Sequence, residues 1–154
     1  MGRIRNYSEE PISVNWHILC ETDKFRSFLK AVYKYADTIC LTYNKPYESF
    51  LQSEWSFLAD SIEYYKATNE TLVTKGPYVT LLHFGIDKKT KEWLLNKSGI
   101  DDFLGTDYRK CCLEDLCFAK EGEVVFSSCT HERFCDMSKG LATYLENNLK
   151  LITL

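Results

Sequence analysis

The feature that most constrains the fold is a pair of apolar segments joined by a turn. Residues 113–119 and 123–129 are both rich in apolar side chains, and Glu121-Gly122 lies between them. Two such segments joined by a short loop that contains glycine are typical of a β-hairpin. The chain therefore requires an antiparallel sheet, and a sheet must bury one face against another layer of structure.

Three segments before the hairpin have clear periodicity. TDKFRSFLKAVYKYA at 22–36 repeats its apolar residues at helical spacing, and TICLTY at 38–43 has the composition of a strand. A long helix is predicted over about 46–67, because large apolar residues recur there three and four positions apart. These residues are Leu51, Trp55, Leu58, Ile62 and Tyr65.

The remaining segments complete an alternating order of helices and strands. YVTLLHF at 78–84 predicts a buried strand, in which we expect His83 to be a hydrogen-bonded core residue. A short helix is predicted at 88–97, a third extended piece at 132–136, and a final helix after Ser138. The expected fold class is α+β, with a small antiparallel or mixed sheet and helices packed on it.

Length and composition indicate one domain that spans residues 1–154. Aromatic residues make up 14% of the chain, which is too many for a disordered protein. No apolar run is long enough for a membrane span, and no signal sequence is visible at the amino terminus. The seven cysteines are an odd number, which favours reduced thiols and a cytoplasmic location over a disulfide framework.

The acidic charge is concentrated in one stretch. The formal net charge is −3, yet residues 99–136 contain nine Asp or Glu and only four Lys or Arg, a balance of −5. A surface of this sign repels nucleic acid and attracts basic partners. A solvated acidic face without a partner is the alternative.

Residues 108–136 also hold five of the cysteines, a histidine and several carboxylates. A two-residue turn at Glu121-Gly122 would place Cys112 opposite His131 and Glu114 opposite Cys129, all on one side of the hairpin. Cys112, Cys129 and His131 are then candidate zinc ligands, with Glu114 or Cys135 as a fourth. No pair of cysteines has the CxxC spacing that is typical of zinc sites.

Two other interpretations of this Cys/His cluster remain open. Cys112 or Cys129 could act as a nucleophile with His131 as its base and Glu132 as an orienting group. The cluster could equally consist of buried structural thiols and one satisfied histidine. Because the chain has no phosphate-binding loop, dinucleotide fingerprint, HExxH motif or GxSxG motif, we expect no catalytic residues, no resident metal and no cofactor.

The stretch 78–136 resembles a group of small bacterial proteins with the pattern EDL-x-F, then G, then F-x-S-x-x-HE. About 60 of the 154 residues are covered by this resemblance. The matching positions are Glu114, Asp115, Leu116, Phe118, Gly122, Phe126, Ser128, His131 and Glu132. Some proteins of this kind look like immunity proteins of polymorphic or contact-dependent toxin systems.

The resemblance implies a cytoplasmic protein that binds and blocks one toxin, without contacting nucleic acid or membrane. A toxin of the nuclease type has a basic cleft, which an acidic surface can occupy in place of phosphates. The residues expected to contact such a toxin are Asp101, Asp102, Asp107, Tyr108, Glu114, Asp115, Glu132 and Asp136. The alternatives are an enzyme or zinc protein that uses the cluster at 111–135, and a regulatory interaction module with no toxin partner.

Overall fold

The computed structural model describes residues 4–70, 75–103 and 113–149. Its elements, with η for a 3₁₀ helix, are β1 (Ile12–Val14), α1 (Trp16–Cys20), α2 (Thr22–Tyr35), β2 (Thr38–Tyr43), α3 (Tyr47–Phe50), η1 (Ser56–Ser61), β3 (Ile62–Glu70), β4 (Lys75–Gly85), α4 (Lys88–Leu95), η2 (Ile100–Phe103), β5 (Leu113–Lys120), β6 (Glu123–Cys129), β7 (Phe134–Met137) and α5 (Lys139–Leu149).

The seven strands form one antiparallel sheet in the order β1-β7-β6-β5-β2-β4-β3. This architecture confirms the predicted α+β class. β2 lies between β5 and β4, and all six of its residues are buried, as expected for a central strand that is covered on both faces. The predicted hairpin is present as β5 and β6, and Glu121 and Gly122 form its turn with positive φ angles.

The main core lies between one face of the sheet and the helices. Phe25, Phe28 and Leu29 project from α2 and are almost fully buried. The ring of Phe28 packs against Phe126 of β6, with centroids 4.9 Å apart, and against the edge of the Phe118 ring on β5. α1, α4 and α5 surround α2. Among the helices in these described ranges, none is long and apolar enough to cross a membrane.

The amino-terminal segment covers part of the other face of the sheet. Arg5 forms a parallel bridge with Glu123 of β6, through hydrogen bonds of its own backbone to Gly122 and Val124. The Tyr7 hydroxyl lies 2.6 Å from the Ser127 hydroxyl and donates a hydrogen bond to the Asp136 carbonyl. A second, smaller core forms beneath this segment from Ile4, Cys40, Cys117, Ala119 and Val124.

The prediction of a long helix over 46–67 is wrong. The segment instead contains the single turn of α3, the 3₁₀ helix η1 and the first part of β3. Leu51 and Tyr65, two members of the expected buried stripe, are 46% and 52% exposed. The residues from Ile62 onward pair with β4, so a long-range strand pairing prevails over the local helical spacing.

His83 is a core residue, as predicted, but the expected hydrogen bond is absent. Its side chain is 1% exposed, and neither ring nitrogen has a hydrogen-bond partner within the ranges given above. The ring lies against Tyr64 with centroids 4.9 Å apart, and His83 is paired with Cys40 across the strands. Burial lowers the pKa of His83 from 6.5 to about 4, so the imidazole is neutral and tolerates this apolar site.

Candidate functional site

The turn between β6 and β7 is held by a buried carboxylate. Asp115 of β5 is 7% exposed and has a positive φ of 55°. Its carboxylate accepts hydrogen bonds from the Thr130 backbone N–H at 2.9 Å and the Thr130 hydroxyl at 3.1 Å. The Asp115 backbone N–H donates to that same hydroxyl at 3.0 Å. Burial raises the pKa of Asp115, and the bonds from Thr130 oppose the rise. Asp115 therefore organises the turn and offers no carboxylate surface to a partner.

Glu114 and His131 form a partly exposed pair beside this turn. Nε2 of His131 lies 3.1 Å from Oε2 of Glu114, and the two side chains are 40% and 15% exposed. The sequence placed these two residues on one side of the hairpin, and the structure brings them into contact. Only the His131 side of the pair is well exposed, and the contact fixes the largely buried Glu114 side chain beside the turn.

The predicted strand register is correct only near the hairpin turn. Lys120 pairs with Glu123 and Ala119 with Val124, as expected. A bulge then shifts the register by one residue, so that Phe118 pairs with Phe126. The expected pairing of Glu114 with Cys129 therefore does not form. Two-residue turns fix the register only as far as the first bulge, and a bulge gives no clear signal in a single sequence.

The structure does not assemble the proposed zinc site from the described residues. Cys129 pairs with Phe134 and Ser128 with Cys135, so Cys129 and Cys135 point to opposite faces of the sheet. Within the described ranges, no three His, Cys, Asp or Glu side chains are placed to hold a metal ion. Cys112, the third candidate ligand beside Cys129 and His131, lies outside the described residues.

The thiols of this region are poor nucleophiles. Burial raises the pKa of Cys129, although the backbone N–H groups of His131 and Glu132 favour its thiolate. Burial also raises the pKa values of Cys117 and Cys135 to about 12. A thiol that stays protonated at neutral pH reacts slowly, because the thiolate is the reactive form.

Four carboxylates lie on η2, on β5 and in the turn after β6. Asp101 and Asp102 lie on η2 and are exposed, and η2 packs against α1 and β5. The Asp102 carboxylate accepts hydrogen bonds from the Ser98 backbone N–H at 2.8 Å and the Ser98 hydroxyl at 2.7 Å, which holds η2 in place.

Cys20, at the end of α1, links this helix to the turn between β6 and β7. Its pKa is raised by burial, further by the charge of Asp101, and is lowered by the charge of Arg133. Asp101 and Arg133 therefore lie near the same thiol, although they are far apart in sequence. We call the exposed part of η2 and of this turn the acidic end; its carboxylates are Asp101, Asp102, Glu114 and Glu132.

The other predicted contact residues lie elsewhere or outside the described ranges. Asp136 is half-buried on β7, where its carboxylate accepts a hydrogen bond from the Ser13 hydroxyl of β1. Asp107 and Tyr108 lie outside the described residues. The acidic end therefore rests on four of the eight residues that the sequence indicated.

A second surface, on α3, η1 and β3, was not predicted from the sequence. Large apolar side chains of this region are exposed: Leu51 by 46%, Phe57 by 50% and Tyr65 by 52%. A count of charged residues over a shorter window would have indicated this surface. Residues 46–65 contain four carboxylates and no lysine or arginine, a balance hidden by the basic residues before and after them.

Comparison with known proteins gives no relative for this chain: no family model, no curated protein and no solved structure matches it.

Proposed function

We propose that the chain is an immunity-type protein that acts in the cytoplasm, where it binds a basic toxin of the nuclease type and blocks its active site. The mechanism is occlusion, in which the acidic end takes the place of the phosphates of the toxin's substrate. Carboxylates on a rigid surface also accelerate association with a basic partner through long-range attraction.

This proposal rests on one observation. The carboxylates of the acidic end come from separate segments of the chain. η2 supplies Asp101 and Asp102, β5 supplies Glu114, and the turn after β6 supplies Glu132. Each of these segments is fixed by hydrogen bonds or packing of its own. A surface that is already ordered loses little conformational entropy when it binds, which favours tight association.

The raised pKa of the described thiols favours a binding protein over the alternative of a cysteine enzyme. Cys129, the described candidate nucleophile, has a raised pKa and two neighbouring carboxylates, Asp115 and Glu132, which disfavour its thiolate further. His131 is already engaged with Glu114. The regulatory module without a toxin partner remains the second candidate, and it would use the same surface.

Co-expression tests the proposal directly. The tagged chain is expressed with the product of the reading frame immediately upstream in its genome. We expect the two proteins to elute as one stoichiometric complex and the chain to suppress growth inhibition by the upstream product. Growth inhibition that continues in the presence of the folded chain, with no complex, would refute the immunity function.

Charge reversal tests the assigned surface. Asp101→Lys combined with Glu132→Lys should slow association with the toxin, about tenfold or more at low salt, because two attractive charges become repulsive. Glu121→Lys at the hairpin turn is the matched control, since Glu121 is also exposed but lies at the opposite end of β5 from Glu114. Equal association rates for the two variants would exclude this surface as the contact.

A further inference from the structure

The surface of α3, η1 and β3 has the composition of a protein interface. We call it the edge face and define it by Tyr47, Leu51, Phe57 and Tyr65, together with the outer edge of β3. Exposed aromatic and aliphatic groups that occur together are characteristic of binding sites, whereas single exposed apolar residues are normal.

Two tyrosines form a preformed anchor at the centre of the edge face. The rings of Tyr47 on α3 and Tyr65 on β3 are parallel within 2°, with centroids 3.7 Å apart. Tyr47 also stacks on Phe50, which is fully buried. Leu51 directly follows α3, and its backbone N–H donates to the Tyr47 carbonyl at 3.3 Å. The stack is therefore attached to the core through Phe50, and it presents a rigid apolar surface next to a strand.

That strand is an open edge of the sheet. β3 is the last strand in the order and pairs with β4 alone, and the described ranges place no further strand beyond it. Its register with β4 is regular from Tyr64 to Thr68 and shifts on either side. Alternate backbone groups along such an edge point away from the sheet and can pair with another extended chain.

The charge around the edge face specifies a basic partner. Glu48, Glu54, Asp60 and Glu63 are all exposed, whereas β3 itself carries one exposed cation, Lys66. Of these carboxylates, only Asp60 has a described ion pair, with Lys89 at 3.5 Å. An apolar centre surrounded by an excess of carboxylates favours a basic partner.

We propose that the edge face binds a basic, extended segment of a partner protein, which adds to the sheet as a strand along β3. Its backbone pairs with the outer edge of β3, and one of its aliphatic or arginine side chains lies against the Tyr47–Tyr65 stack. Lysine or arginine at alternate positions meets the carboxylates of the rim. This site is separate from the acidic end and does not depend on the proposed function.

A synthetic peptide of alternating arginine and valine serves as the probe, and its twin of alternating glutamate and valine serves as the control. We expect the basic peptide to shift the amide signals of β3 in the NMR spectrum of the full chain and to slow their hydrogen exchange. The acidic peptide should do neither. Shifts confined to the acidic end, or equal binding of the two peptides, would overturn the proposal.

Two variants test the anchor and the rim separately. Tyr65→Ser should weaken binding of the basic peptide roughly tenfold, because it removes half of a central aromatic anchor. Glu48→Gln combined with Glu63→Gln should weaken it about fivefold at low salt, and less at high salt. Glu92→Gln on α4 is the matched control and should bind normally. Both edge-face variants change exposed groups, so their unfolding curves should remain close to that of the parent chain.

Other results distinguish this proposal from its alternatives. A concentration-dependent dimer that Tyr65→Ser abolishes would show that a second copy of the chain is the occupant, which contradicts a basic partner. If the upstream product forms no complex but the basic peptide binds β3, the immunity function fails and the edge face stands. If the toxin complex forms while the basic peptide leaves the β3 signals unchanged, the edge-face proposal fails and the immunity function stands.

Discussion

His83 is a titratable side chain that burial alone keeps neutral. Among the described residues, neither of its buried ring nitrogens has a hydrogen-bond partner, and its ring lies against that of Tyr64. Neutral imidazole loses its bonds to water in this site and gains none from the protein. The residue therefore reduces stability relative to an apolar ring of similar size.

Replacement of this histidine should stabilise the protein. For His83→Phe we expect the free energy of unfolding at pH 7 to rise by about 1 kcal/mol, because the unsatisfied nitrogens are removed and the contact with Tyr64 is kept. Urea unfolding followed by circular dichroism measures the difference. His17→Gln changes an exposed histidine and should have little effect. A loss of more than about 1 kcal/mol for His83→Phe would mean that the ring nitrogens have a partner.

The same residue should make stability depend on pH. The pKa of His83 is about 4 in the folded chain and 6.5 as its ordinary value, so between these values the unfolded state binds one more proton. Because of His83, the free energy of unfolding should fall as the pH drops from 6.5 towards 4, by a total on the order of 3 kcal/mol. His83→Phe should lack this decline. Parallel pH profiles for the two chains would show that His83 is not the source.

Asp115 should matter for stability more than its neighbour Glu114. Asp115→Ala leaves the Thr130 backbone N–H and hydroxyl without their acceptor, and we expect a loss of about 2 kcal/mol in the free energy of unfolding. Glu114→Ala removes the contact with the exposed His131 side chain and should lower the free energy of unfolding by less than 1 kcal/mol. Thermal unfolding of the two variants gives the comparison. Equal losses would contradict the structural role of Asp115.

At this scale, sequence reasoning identified the acidic region but not the role of each carboxylate. Glu114 and Asp115 are adjacent and look equivalent in the sequence, yet Glu114 is half-buried and contacts the exposed His131, whereas Asp115 is buried and bonded to Thr130. The difference arises from the positive φ of Asp115 and from its bonds to Thr130, fifteen residues later in the chain. Neither feature can be predicted from the residues that flank Asp115 in the sequence.

At the scale of elements, the sequence predicted those segments that have a single strong period. The helix predicted at 22–36 is observed as Thr22–Tyr35, and the strand predicted at 38–43 has the same bounds. The stretch 46–67 also has clear helical spacing, yet its predicted helix is wrong, because Ile62, Tyr64 and Tyr65 suit a strand as well as a helix. Pairing with β4, the next strand along the chain, decides the outcome, and the residues paired with Ile62 to Thr68 lie outside the segment in which the helical spacing was found.

The contact between α2 and α5 gives a prediction about Gly140. A Cβ added there would lie 2.7 Å from the hydroxyl oxygen of Tyr35, but 3.9 Å from the ring carbon that bears it. Gly140→Ala should therefore destabilise the parent chain. In a Tyr35→Phe background, the same change should stabilise by up to about 1 kcal/mol, because alanine favours the helix. Urea unfolding of the four chains measures the coupling, and the same effect in both backgrounds would refute the contact.

At the scale of the whole molecule, the buried thiols report on cooperative unfolding. Cys40, Cys117, Cys129 and Cys135 are buried on four strands, whereas Cys20 is half-buried at the end of α1. In a background with Cys111→Ser and Cys112→Ser, we expect a thiol reagent at pH 8 to label Cys20 first. The four buried thiols should react together, at a rate that rises with urea as global unfolding does. Labelling in separate stages would indicate parts of the sheet that open independently.

The pairing of β1 with β7 determines when the sheet can be completed during synthesis. Residues 12–14 leave the ribosome early, but the strand that receives them, Phe134–Met137, is made more than a hundred residues later. The amino-terminal segment must likewise wait for Glu123. Until then these extended residues have no partner, and the apolar strands already made are open to pairing with other chains. Such a protein is expected to fold slowly after release and to gain most from a chaperone that shields its early strands.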